Sequence, residues 1–526
     1  MKTSVPLAAP RPIALVANPA FGATEWFAAG LVVVIYLASA TWHIFYGAQN
    51  TDEGFYAVAT RAVAQGEMPY RDFGFTQPPL VLYANALPLR LIGPGLFAQR
   101  ALNGVWASLA LLIAAAWLAR RTRPMWGLVL ALGFALSSPW MYFVHLGKTY
   151  GFTTLLVMLA TWAFLALRAG PWRNFVVGLL TVLGIGSRLP AAPCFGLLWL
   201  LALWPQRRPT VREIMSAIGG LALGTAVAII PFGWAAPEAV RFWVFEFHRI
   251  SVPLKMWHLA WQEIAALAPA VWLLGSLALF LAVLRQRLRT RETGVMLAAG
   301  AALAINLFPG GVYDEYATPF LLPFAVAAAA LVFDELQSRK TAVLLTCTGL
   351  AAAQLLTAPV LFFDSLPQRR GTVNQWLTPN TPPYNLSLPA QVATARRIVE
   401  STLAPDAPFI GPNLILAVEA GRTVPAELRM GSFSFTEEMP PAQAARLHLA
   451  TREQLDNWYS RPDVTLLSFF KRIDLDYNWS MPSFTNVPND VRQVMRNRLE
   501  RDFGLAYDEG DFFLLVRRRP KDMFFR

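Results

Sequence analysis

Charge is scarce in this chain: of its 526 residues only 15% are Asp, Glu, Lys or Arg, while 55% are hydrophobic. A soluble protein carries about 25% charged residues, so most of the chain is expected in lipid. Cysteine is nearly absent, with 2 residues, Cys194 and Cys347, each inside an apolar run. That excludes a disulfide framework and a thiolate metal site. His145 and His248 belong to no metal-ligand spacing, and internal repeats, low-complexity tracts and long linkers are missing. A cleavable signal peptide is also not expected, because the first apolar run, "WFAAGLVVVIYLASATWHIFY" from Trp26 to Tyr46, is long enough to span a bilayer and reads as an anchor that stays.

What is present is a succession of such runs. Apolar stretches at Trp26 to Tyr46, Ala101 to Ala119, Met125 to Val144 and Tyr150 to Leu167 are followed by two short ones, Phe175 to Gly186 and Leu189 to Trp204. Then come Ile214 to Trp234, Ile264 to Leu284, Val295 to Phe308, Ala317 to Phe333 and Thr341 to Phe363. They predict about eleven transmembrane helices, with the short pair as broken half-spans around a cavity. The formal charge of +12 calls for no nucleic acid, because much of the basic excess sits in the connectors "RRTRP", "RAGPWRN", "PQRRPTVRE", "RQRLRTRE" and "QSRK". These follow every second span and share one side with Lys2 and Arg11, which the positive-inside rule makes cytoplasmic.

The opposite connectors are built differently. The Gly47 to Arg100 loop contains "EGFYAVATRAVAQ", with helical spacing, and "PPLVLYANALPLRLIG", too proline-marked for a span, so both suit helices lying in the interface. Residues 1–25 are expected to form a cytoplasmic segment and 26–363 a transmembrane domain. Residues 364–526, mixed and polar, carry strand-like runs "PFIG", "VTLLSF" and "FFLLVRR" among helix-like segments, predicting an extracytoplasmic α/β domain.

Chemistry concentrates in the first outer loop. Asp52 and Glu53 follow the first span directly and read either as the polar start of a helix or as a general base or cation-binding carboxylate at the membrane edge. Tyr56 and Arg61 share their helix, "PYRD" brings Tyr70, Arg71 and Asp72, and "TQPPL" pairs Gln77 with a rigid proline turn.

An acidic residue after the first membrane helix, a G-x-x-P-Y turn and a "PPL" before an apolar helix resemble the lipid-dependent glycosyltransferase C superfamily. The branch they resemble holds protein mannosyltransferases, aminoarabinose transferases and rhizobial galacturonosyltransferases, and "YDEYATPFLLPFAVAAAA" from Tyr313 resembles that family's late-helix pattern. The resemblance covers about residues 26 to 363. It implies a polytopic α-helical inner-membrane glycosyltransferase that moves a monosaccharide, with inversion, from a polyprenyl-phosphate donor to a hydroxyl on an envelope glycan, lipid or protein. Asp52 is then the implied base, with Glu53 its competitor.

Such a reaction needs cations for the departing phosphate. Lys148 in "HLGKTYG" and Arg188 in "GSRLPAAP" are the candidates, with Arg61 behind them; Arg71 and Arg100 read as partners of loop carboxylates. Tyr56, Tyr70, Gln77, Tyr313, Asp314, Glu315 and His248 are candidate contacts to sugar or acceptor. The "YDEY" carboxylates could instead counter Lys148, and a divalent cation is a candidate cofactor with Glu53, Asp314 and Glu315 as candidate ligands. Aminoarabinose transferases carry an acidic residue and a lysine where this chain has Thr76 and Gln77, so any charge placed there must be supplied elsewhere. The alternatives are a lipid or glycan flippase, a ligase using a polyprenyl-diphosphate carrier, for which His248 and Arg249 speak, and a non-catalytic relative in an envelope complex.

Overall fold

The computed structural model describes residues 21–203, 209–250, 267–305, 314–336, 340–357, 387–437, 439–470 and 488–518. The chain opens with α1 (Ala23–Tyr46), then α2 (Glu53–Ala64), α3 (Leu80–Ile92) and α4 (Leu96–Arg121). It continues through α5 (Pro124–Leu136), α6 (Ser138–His145), α7 (Tyr150–Ala166), α8 (Pro171–Ile185), α9 (Ala192–Leu203) and α10 (Val211–Ala228). Further helices at Pro269–Leu284, Arg291–Ile305, Thr318–Leu336 and Lys340–Thr357 complete the apolar part. Among the described residues four helices are long and apolar enough to cross a membrane, or five if α5 and α6, bent by 76° against each other, form one span. The chain is thus a multi-pass membrane protein. The expected Met125 to Val144 span is this bent pair, with Ser137 at the break and Pro139 in the first turn of α6, where a missing N–H costs no hydrogen bond.

Lipid gives no hydrophobic reward for helix association, so close backbone approach matters more than in water. The α8 and α10 pair uses it: a Cβ at Gly220 would lie 2.1 Å from the Phe175 carbonyl oxygen. Of the four candidate spans the helix Thr318–Leu336 is the most enclosed, with Phe320, Leu321 and Val326 at 0% exposure in a core shared with α4 to α7.

A second core lies at one end of the bundle. It joins Phe55, Tyr56 and Val58 of α2 and Phe73 and Phe75 of the following loop to Ile415, Leu467 and Leu514 from the C-terminal part. That part contains the helices Leu388–Thr402, Ile415–Glu419, Arg452–Ser460 and Asn489–Asp502. Among the described residues its sheet has three strands, β1 (Leu466–Phe469), β2 (Phe503–Glu509) and β3 (Phe512–Arg517), in the order β1-β3-β2. Both pairings are antiparallel, so the arrangement is a small α+β one instead of the alternating α/β domain expected. "VTLLSF" and "FFLLVRR" do supply β1 and β3, while "PFIG" gives only a bridge between Ile410 and Leu467. The helix Asn489–Asp502 leads directly into β2, which begins at Phe503. Gly54 permits the docking of α2 on this part: a Cβ there would sit 2.9 Å from the Ile415 backbone nitrogen.

Candidate active site

The segment Gly47 to Glu53 carries two carboxylates into different surroundings. Glu53 Oε1 accepts from Arg100 Nε at 2.8 Å and Gly147 N at 2.9 Å, and Oε2 accepts from Arg100 Nη2 at 2.6 Å and Asn50 N at 2.9 Å. A carboxylate has about four lone-pair sites, so none is left to take a proton or a metal ion. Arg100 is equally occupied, since Nη1 also reaches the carbonyls of Ile44 and Gly47 and Nη2 that of Ala48. The pair is 1% exposed on each side. This geometry corrects the expectation that Glu53 competes for the base role or binds a cation: it is a strut between α2, α4 and the α6–α7 connector.

Asp52 occupies the N-cap position of α2 without making a side-chain cap bond. Its carboxylate instead pairs with Lys148 Nζ at 2.8 Å, and the same ammonium holds Glu315 Oε1 at 2.8 Å and Asn50 Oδ1 at 3.3 Å. Asp52 remains 29% exposed while Lys148 is 4% exposed. Burial alone pushes the Lys148 ammonium down, but the Asp52 and Glu315 carboxylates override it and hold it well above the usual lysine range. Lys148 thus stays charged, bridging two carboxylates where a divalent cation could otherwise sit. Among the described residues no three His, Cys, Asp or Glu side chains converge as metal ligands.

Arg188 lies beyond this triad, in the break between α8 and α9. The backbone is extended there, at φ −162° and ψ 117°, before a 3-10 turn at Leu189–Ala191. Its guanidinium is sandwiched between the rings of Tyr150 at 4.5 Å and Tyr316 at 4.2 Å. Nη1 donates to Thr149 Oγ1 at 2.7 Å, and Nε is buried without a partner among the described residues. Among the described residues no carboxylate forms an ion pair with it; Glu315 acts on it only at longer range. A buried cation without a counter-ion is costly. Leu80 N donates to the Gly186 carbonyl at 3.1 Å, docking the proline turn onto the same break.

The other expected residues divide. Tyr56 is buried against Phe55 and Phe75 and feels the charges of Lys148, Arg188 and Asp52, so it borders the triad. Tyr70 adopts φ 69°, a left-handed conformation costing about 1–2 kcal/mol. It is held by its N–H on the Phe73 carbonyl and its hydroxyl on the Gln77 carbonyl, a brace for the loop and not a free ligand. His248 donates from Nε2 to the Thr76 carbonyl at 2.7 Å and lies 3.4 Å from the Gln77 amide nitrogen. Burial and then the Arg188 charge push His248 below the usual histidine range, only partly offset by the Thr76 carbonyl. Gln77 Oε1 is buried without a partner among the described residues. Arg61 points away from the triad and donates to the carbonyls of Ala417 and Arg422, so its expected phosphate role is corrected as well. Asp314 begins the short turn Asp314–Ala317, and Tyr313 lies outside the described residues.

Asn50, Thr149, Tyr150 and Tyr316 had no individual signal in the sequence beyond their closeness to Asp52, Lys148 and Glu315. The Gly47 to Asn50 segment is also gripped from the C-terminal part. Gln49 N donates to Asp511 Oδ2 at 3.0 Å, Gln49 Nε2 to Asn413 Oδ1 at 3.2 Å, and Asn413 Nδ2 to the Asp511 carbonyl at 3.1 Å.

No family model matches the chain, and no curated protein matches it. Solved structures do. ArnT from Cupriavidus metallidurans bound to undecaprenyl phosphate superposes with a TM-score of 0.56 at 10% identity, covering 95% of this chain and 99% of that one. Its apo state gives 0.57 at 12% identity, covering 94% and 98%. An oligosaccharyltransferase from Archaeoglobus fulgidus, in complex with zinc and sulfate, aligns over 93% of this chain and 73% of that one at 13% identity, with a TM-score of 0.42. The near-complete coverage by the ArnT structures includes the C-terminal part, and the chain has the glycosyltransferase C fold.

Proposed function

We propose that this protein is a membrane glycosyltransferase that moves a monosaccharide from a polyprenyl-phosphate carrier to a hydroxyl on an envelope glycan, lipid or protein. The observation that carries the reading is the buried Arg188 guanidinium, free of any carboxylate partner among the described residues and adjacent to the Asp52–Lys148–Glu315 triad. It supports a site completed by an anionic ligand, and the ArnT fold relative is one bound to undecaprenyl phosphate. An apolar cavity of about 230 Å³, lined by Phe134, Trp140, Leu274, Leu321 and Phe333, lies between the helices that lead to Lys148 and from Tyr316. It would suit part of an isoprenoid chain.

In this reading Arg188 and Lys148 hold the carrier phosphate. The acceptor hydroxyl loses its proton to the Asp52 carboxylate as its oxygen bonds to the anomeric carbon. The bond from that carbon to the phosphate oxygen breaks, and its electron pair leaves with the phosphate, where the two cations stabilise the developing charge. Attack opposite the leaving group inverts the anomeric centre. Glu315 keeps Lys148 oriented, and the side with Asp52 and the C-terminal part faces out of the cytoplasm.

The test is mass spectrometry of envelope glycans and lipid-linked sugars from cells lacking the protein, complemented with the wild type or Arg188→Gln. Without the protein, and with Arg188→Gln, one polyprenyl-phosphate monosaccharide accumulates and the same sugar is missing from its acceptor. Unchanged acceptors and no accumulated carrier would refute the reading; accumulation of a whole glycan on a diphosphate carrier would indicate a ligase.

A further inference from the structure

The Asp52–Lys148–Glu315 triad has the oxygen set of a divalent-cation site with an ammonium at its centre. Asp52 Oδ2 and Glu315 Oε1 each lie 2.8 Å from Lys148 Nζ, and Asn50 Oδ1 lies 3.3 Å from it. Two carboxylates and an amide carbonyl are the hard ligands that magnesium, calcium and manganese take, at about 2.0–2.6 Å. An ion at this centre and the ammonium exclude each other, because both need the same oxygens and two cations in one buried space repel. Which of them holds the place depends on how firmly the chain fixes the lysine. The neighbours of Lys148 are pinned on both sides. Gly147 N donates to Glu53 Oε1 at 2.9 Å, which ties the α6–α7 connector to the saturated Glu53–Arg100 pair. Thr149 Oγ1 accepts from Arg188 Nη1 at 2.7 Å, and the centre of the Tyr150 ring is 5.4 Å from Nζ. Asn50 is fixed as well, since its Oδ1 also accepts from Asp52 N at 3.1 Å. Lys148 is 4% exposed, so withdrawing it from its carboxylates would strand charge in the interior.

We propose that the Lys148 ammonium is the resident cation of this site, standing where a divalent ion would bind, so that the wild-type centre takes up no metal. The divalent cation considered as a cofactor, with Glu315 among its ligands, does not fit beside it. The fixed ammonium orients Asp52 and Glu315 and puts positive charge beside the carrier phosphate. Its longest contact, to Asn50, is the one that yields to a phosphate oxygen. Removing the lysine side chain turns the triad into an oxygen cage with two unanswered carboxylates, a latent site for one divalent ion. Metal exclusion rests on the triad geometry alone, whereas its meaning for the reaction rests on the transferase reading.

The experiment uses the full chain in phosphatidylcholine nanodiscs and titrates Mn²⁺, reading the free ion by electron paramagnetic resonance and the protein by thermal unfolding. The wild type and Asp52→Asn take up Mn²⁺ equally weakly, and neither is stabilised by it. Lys148→Ala melts below the wild type without metal, binds one Mn²⁺ per chain at least tenfold more tightly, and regains melting temperature as the ion saturates. Combining Lys148→Ala with Asp52→Asn abolishes that site. Recovery of folded Lys148→Ala only when Mn²⁺ is present also supports the proposal. If that variant folds in neither condition, the comparison of wild type with Asp52→Asn decides. The proposal is overturned if the wild type binds Mn²⁺ at a site that Asp52→Asn removes, or if folded Lys148→Ala gains no site over the wild type. None of these measurements needs sugar transfer, so a failure here is distinct from a failure of the transferase reading.

Discussion

The two buried arrangements that start from Asp52 and Glu53 differ in how completely their charges are answered. Around Glu53 and Arg100 every carboxylate lone pair and every guanidinium N–H has a partner, and both residues are 1% exposed. Around Asp52 the ledger is open: one ammonium serves two carboxylates, Asp52 keeps a wet edge, and Arg188 nearby has an unpartnered Nε. Saturated charge networks fix a structure, whereas incomplete ones wait for a ligand. One turn of chain therefore supplies both a saturated strut and a partly exposed carboxylate beside it.

The sharpest way to break this contrast is Glu53→Gln. Removing one charge from a buried pair leaves the other uncompensated and costs about 3–5 kcal/mol, so the variant is expected to lose most of its folded yield in detergent. Gel filtration and thermal unfolding measure this, and a variant melting like the wild type would show that the strut is dispensable. Asp52→Asn is expected to do the reverse. It retains the wild-type melting profile and elution while sugar transfer, read by mass spectrometry of the acceptor, falls about 10²–10⁴-fold. Equal turnover in the folded variant would remove Asp52 from the base role.

The smallest effect is expected at the clasp from the C-terminal part. Asp511→Asn leaves the triad chemically intact but weakens the acceptor for the Gln49 N–H, a bond to a charged group worth about 1.5–3 kcal/mol. Transfer should fall several-fold through turnover, with the apparent affinity for the carrier unchanged. A change in carrier affinity alone would mean that Asp511 acts on the phosphate side and not on the Gly47 to Asn50 segment.

Much of the fold was legible because its signals are local. Apolar runs give helices wherever they are described, and Pro139 and the Gly186 to Arg188 stretch mark the breaks. Asp52, Lys148, Arg188 and the "YDEY" stretch could also be singled out from where charge appears beside apolar runs, since a charge there is costly without a purpose. The misreadings share one cause. Glu53 and Arg61 have the same residue types and loop location as functional groups, and only their partners distinguish them. Glu53 meets Arg100 from another helix, and Arg61 meets carbonyls contributed by the C-terminal part. The strand β2 was hidden behind the strongly helical, charged Asn489–Asp502 segment, because pairing with β3 and not local propensity makes it a strand.

The sequence by itself determined that the chain lives in a membrane, where its helices run and break, and which short stretches bring charge beside the apolar runs. Those properties follow from periodicity and the cost of charge in lipid, which act within one segment. Tertiary structure alone decided which charge answers which. The Asp52–Lys148–Glu315 triad and the saturated Glu53–Arg100 pair each join segments far apart in the chain. A carboxylate's role is set by how many donors reach its lone pairs, and that number exists only once the chain has folded.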